Sequence, residues 1–154
     1  MGTVTLPGYV FLAHTARMWR VTEEDDDGER SGWGFDISTW APVVQPPEDV
    51  SVLFDRGVGI EAFDAEPIPL PEWDDLTGLD FRLDPPIDEE TGECYFSLRA
   101  GEWHDASRVR MRFLERVAER YRIEFTAEVH LVFVVGVPTE IRYDGWIDVV
   151  GEAS

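Results

Sequence analysis

The chain has 154 residues, 44% of them hydrophobic, with six Trp and nine Phe. That length and content suit one domain with a substantial core and exclude wholesale disorder. Thirteen basic residues face 32 acids, a net charge of −19, and no apolar run approaches the ~20 residues of a membrane-spanning helix.

All 13 basic residues are Arg. There is no Lys and no Asn, and Gln45 is the single Gln. Schiff-base and P-loop lysine chemistry is therefore excluded, as is N-glycosylation. The lone Cys94 excludes an intramolecular disulfide. The first residues, Met1 to Leu6, lack the basic and apolar regions of a secretory signal, so the expected address is cytoplasmic.

Residues 3–40 read as β. Residues 9–13 form a short apolar run, and Trp19 and Val21 alternate with Arg20 and Thr22. The acidic run 23–30 predicts a turn, with Asp27-Gly28 as its positive-φ pair. Trp33, Phe35 and Ile37 then alternate with Gly34, Asp36 and Ser38, completing a hairpin.

Residues 41–93 hold eight of the ten prolines, which break ladders and helices. Short strands are expected at 50–54 and 81–83. Between Glu48 and Glu93 lie 15 acids and two Arg. Most of the excess charge therefore sits on irregular backbone, which Phe54, Ile60, Phe63, Leu70, Trp73, Leu76 and Phe81 would tie to the core.

Regular structure resumes at residue 95. A strand is expected at 95–99. From Tyr121 to Phe133 seven apolar residues alternate with polar ones, the clearest strand in the chain. A last β segment, 141–149, contains Asp144-Gly145, a turn or bulge signal.

Residues 106–120 fit two readings. Phe113, Leu114, Val117, Ala118 and Tyr121 make a helical stripe. A helix would, however, stack Arg108, Arg112, Arg116 and Arg120 at like-charged i,i+4 spacing. A hairpin turning near Ala118 would face Arg112 with Glu124 and Arg108 with Glu128. The charge pattern favours the hairpin; the lack of turn residues favours the helix.

Chemical motifs are weak. Gly57-Val58-Gly59-Ile60-Glu61-Ala62 spells a dinucleotide fingerprint, but prolines at 67, 69 and 71 would stop the helix it needs. A calcium loop with Gly28 in sixth place would need Glu where Gly34 stands. His14, Cys94, His104 and His130 lack zinc-ligand spacing, and His130 falls on a polar strand face. No Ser lies in a nucleophile elbow. Glu102, His104 and Asp105 form the most enzyme-like string, but strand alternation would turn Asp105 away from His104. Carboxylate pairs such as Asp74-Asp75, Glu89-Glu90 and Glu61/Glu66 carry little information among 32 acids. No metal or cofactor is implied.

These elements predict one β domain over 1–154: an antiparallel β-sandwich of roughly eight to ten strands, with an acidic, proline-rich connection over 41–93 and at most one or two short helices. A charge of −19 repels itself, so something must compensate. A basic protein partner would do so, and a high-salt cytoplasm or GC-rich codon usage would also produce the composition. The expected function is a non-catalytic acidic binding protein. A toxin-neutralising immunity protein, or a nucleic-acid mimic inhibiting a nuclease-type toxin or nucleic-acid enzyme, would look like this. The expected contact residues are Trp73, Asp74, Asp75, Asp88, Glu89 and Glu90, an aromatic anchor amid acids. Direct nucleic-acid binding is disfavoured because affinity there comes from phosphate neutralisation. No membrane is implied. The alternative is a small hydrolase or carbohydrate-active domain using carboxylates and His104.

Overall fold

A computed structural model describes residues 2–6, 9–25, 28–40, 57–62, 75–84, 86–87, 92, 94–100, 102–129 and 139–150. They form nine strands: β1 (Gly2–Leu6), β2 (Tyr9–Asp25), β3 (Gly28–Thr39), β4 (Gly59–Ala62), β5 (Asp80–Leu83), β6 (Ser97–Ala100), β7 (Glu102–Val117), β8 (Arg120–Val129) and β9 (Thr139–Val149). The described residues contain no helix, and none is long and apolar enough to cross a membrane.

The sheet closes. Its order runs β1-β2-β3-β4-β6-β7-β8-β9 and returns to β1, every neighbour antiparallel. This is an eight-stranded barrel, which corrects the expected sandwich. The decisive element is β7, long enough to pair with β6 on one side and β8 on the other. A sandwich would leave two separate sheets. The ninth strand, β5, lies on the same side of β7 as β6, farther along it. β1 is short, so past its start β9 meets β2 directly, in parallel, at Arg17–Met18.

Alternation drives the closure. In β8, Tyr121, Ile123, Phe125, Ala127 and Val129 are all buried, while the residues between them face outward. Eight strands leave an interior that side chains can just fill. Phe35, Phe96 and Phe125 pack there with ring centroids 5.3–5.8 Å apart. Apolar residues inside and charges outside on β7, β8 and β9 are the reverse of a lipid-facing barrel.

The hairpin reading of 106–120 holds. β7 and β8 pair with Arg108 opposite Glu128 and Arg112 opposite Glu124. Val117 pairs with Arg120, so Ala118 and Glu119 make the connection. Ala118 stands at φ 53°, which supplies the turn without glycine. The predicted Asp27-Gly28 turn needs correction: Asp25 pairs with Gly28, so Gly28 is in the ladder and the connection is 26–27, outside the described residues. Asp144-Gly145 is no turn either. Both residues pair in unbroken register with Glu124 and Ile123. Gly145 faces Gly2, where an added Cβ would lie 2.7 Å from the Tyr143 hydroxyl, so close packing explains glycine at position 2.

Gly57 begins no nucleotide-binding helix. It turns at φ 77° into β4. The turn is clamped by buried Thr39, whose hydroxyl donates to the Val58 carbonyl (3.0 Å) and accepts from the Val58 N–H (2.9 Å). The expected strand at 50–54 and the end of the one at 121–133 lie outside the described residues.

Candidate functional site

A groove lies on the outer wall formed by β5, β7, β8 and β9. Strand register sets outward side chains side by side across this wall in three rows. The first row is Asp80, Arg112, Glu124 and Asp144. The second is Arg82, Arg110, Thr126 and Arg142. The third continues from Arg108 through Glu128 to Glu140, with Asp84 bonded to Arg108 at its near end. Outward positions on adjacent antiparallel strands approach to about 4.5–5.5 Å between Cβ atoms, so such rows interact.

Ion pairs tie the rows together. Arg110 grips Asp80 with two hydrogen bonds, 3.0 and 2.8 Å, and Arg82 reaches the same carboxylate at 3.5 Å. The Arg110 fork, followed by Arg82, holds the Asp80 carboxyl down at about 2. Arg112 and Arg142 both lean to Glu124, at 3.2 and 3.7 Å. Arg108 lies 3.2 Å from Asp84 and 3.6 Å from Glu128.

Thr126 is the one uncharged side chain in these rows. Its arginine neighbours lean away toward the first row, which opens a groove of about 330 Å³. Arg82, Arg108, Arg110, Asp84, Glu128 and Glu140 ring the groove. Glu140 has no ion pair or hydrogen bond among the described residues, and it stands directly opposite Glu128. The sequence carried a trace of this site. Arg120, Arg122, Glu124, Thr126 and Glu128 are the outward residues of β8, and Thr126 breaks their run of charges.

Of the expected contact residues, Asp75 alone is described. It is exposed and accepts hydrogen bonds from the Thr77 N–H (2.9 Å) and hydroxyl (2.6 Å). The Thr77 hydroxyl and N–H hold its carboxyl below the usual range. This is a turn-forming contact. Trp73, Asp74, Asp88, Glu89 and Glu90 lie outside the described residues, as does His130. An exposed aromatic that sequence reasoning passes over is Trp40, 65% accessible and tilted against His14 with ring centroids 4.3 Å apart.

The enzyme-like string does not converge. His104 pairs with Leu98 and shares its face, while exposed Asp105 lies opposite Ser97, whose hydroxyl is 3.4 Å away. His104 does not line the groove. Cys94 is half-buried, donates to the Phe96 and Ala106 carbonyls, and has its thiol pushed up by burial. Among the described residues no three His, Cys, Asp or Glu side chains gather to hold a metal.

Comparison with protein-family models, curated proteins and solved structures found no match in any of the three. Geometry and charge therefore carry the functional reading.

Proposed function

We propose that this protein is a non-catalytic acidic binding protein that engages a basic protein partner. The chemistry suits a nuclease-type toxin or another nucleic-acid enzyme, so the role would be immunity or inhibition. The observation that carries this reading is the segregation of charge. Among the described residues, nine arginines are engaged in ion pairs, most of them on the β5–β7–β8–β9 wall. Residues 23–29 and 61–75, by contrast, contain twelve acids and no basic residue.

The described residues that flank both acidic segments lie toward one end of the barrel. β2 turns into β3 there. β4 leaves toward the same end after Ala62, opposite Phe35, and the chain re-enters at Asp75. Leu76 is then anchored by its N–H to the Tyr121 hydroxyl, beside the β7–β8 turn. Exposed Val117 (53%) adds apolar surface at this end. Concentrated acid of this kind steers a cationic protein toward one face, which raises association rate more than affinity.

The test is association kinetics against a panel of cationic nucleases and a neutral protein of similar size, at 50 and 500 mM NaCl. Binding to a cationic member should slow by about tenfold or more in association at high salt. A variant neutralised at Glu23, Glu24, Asp25 and Glu29 should lose most of that salt dependence. No complex with any cationic protein at 50 mM salt, or a neutralised variant with unchanged rates, would refute the reading.

A further inference from the structure

We infer that the wall groove above Thr126 is a slot for one arginine side chain of the basic partner, seated between Glu128 and Glu140. The inference rests on the basic-partner reading and adds where that partner locks on.

The charge pattern of the lining selects a cation. Arg82 and Arg110 already hold Asp80, and Arg108 holds Asp84 and Glu128. An entering anion would have to break one of these pairs. Glu140 is the charged liner with no counter-ion among the described residues. It directly faces another carboxylate, an arrangement that costs stability in an antiparallel sheet. A guanidinium bridging Glu128 and Glu140 would convert that repulsion into two charge-assisted hydrogen bonds.

Shape agrees with charge. Thr126 is short where its row neighbours are arginines, and Val109 and Ala127 contribute to the groove lining. A space of about 330 Å³ accommodates one long side chain. An arginine stem would lie over Thr126 and the backbone of Val109 and Ala127, whose side chains face the barrel interior, while its planar head meets the carboxylates. The acidic end of the barrel would supply long-range attraction, and this slot would set register.

The probe is a short capped peptide, Gly-Gly-Arg-Gly-Gly, compared with its citrulline analogue, which keeps the shape without the charge. Each is titrated into the 154-residue protein and followed by amide chemical shifts in two-dimensional NMR. The arginine peptide should give saturable shifts at Thr126, Ala127, Glu128 and Glu140, and the citrulline peptide should give none. Glu140→Gln should weaken binding about threefold to fivefold, the worth of one part-exposed ion pair. Glu115→Gln removes the same charge from an exposed position outside the groove and should leave binding unchanged. Shifts scattered over all acidic segments, or equal effects of the two variants, would overturn the slot. If cationic nucleases bind while the arginine peptide leaves the groove unshifted, the slot falls and the basic-partner reading stands.

Discussion

Replacing Ala118 with Gly should stabilise the protein, and the sign of the effect is what makes the experiment informative. Ala118 sits at φ 53° in the two-residue connection between β7 and β8. An L-residue with a Cβ pays about 1–2 kcal/mol to hold that conformation. Glycine removes this strain but brings back about 0.5–1 kcal/mol through its freer unfolded chain. The net gain is then about 0.5–1 kcal/mol. Little packing is lost, because Ala118 is exposed. The local Arg116 Nε bond to the Ala118 carbonyl (3.0 Å) uses backbone that glycine also has. For a domain of this size the gain corresponds to a rise of about 1–4 °C in Tm. Thermal melts and urea titrations of both proteins measure it, with the m-value expected to stay constant. Had 106–120 been a helix, the same change would cost about 1 kcal/mol. A variant that is less stable would refute the turn geometry.

Other perturbations follow from the core and the wall. Phe125→Ala empties the space between Phe35 and Phe96, 5.5 and 5.3 Å away, and should cost about 3–5 kcal/mol, with Phe125→Leu costing less. Urea titration checks both, and a loss below ~1 kcal/mol for alanine would mean the barrel interior is not packed as described. Thr39→Val keeps shape but strands the Val58 N–H, while the Val58 carbonyl keeps the Thr39 N–H at 3.1 Å; it should cost about 1–3 kcal/mol, whereas Thr39→Ser should be milder. Asp80 is held at about 2, below its ordinary 3.8. Its ion pairs therefore stabilise fully above that ordinary value and fade as pH falls from about 4 to 2. The carboxylate is 39% exposed, so the contribution stays under about 1 kcal/mol. Asp80→Asn should be less stable than the parent at pH 6 and equal to it below pH 2. A gap that persists at low pH would assign the effect elsewhere.

What could be read from the sequence depended on how local the cause was. The strand β8 announced itself because alternation is a property of neighbours in the chain, and all five of its buried positions are odd-numbered from Tyr121 to Val129. The β7–β8 pairing was legible from complementary charges at Arg108/Glu128 and Arg112/Glu124, although the turn at Ala118 carries no turn residue. Closure was not legible. Whether a β domain becomes a sandwich or a barrel depends on β7 finding partners on both sides, and no window of sequence contains that information. Asp144-Gly145 spells a turn locally, yet both residues stand in the β8–β9 ladder, a pairing set by residues about 20 positions away. The wall groove escaped because it is made by Thr126 in relation to residues from β5, β7 and β9, and relative register becomes known only when the strands pair.

The placement of β1 between β2 and β9 has a consequence during synthesis. Gly2 and its partner Gly145 are about 140 residues apart, and a ribosome adds roughly 5–20 residues per second. The first strand therefore waits about 7–30 seconds with one hydrogen-bonding edge open before its second neighbour exists. During that interval the β1–β2 hairpin offers its bare edge to any passing strand, a known hazard for misassembly. The nascent barrel thus depends on what shields that edge at the ribosome, a constraint absent from folds whose first strands complete their pairing early.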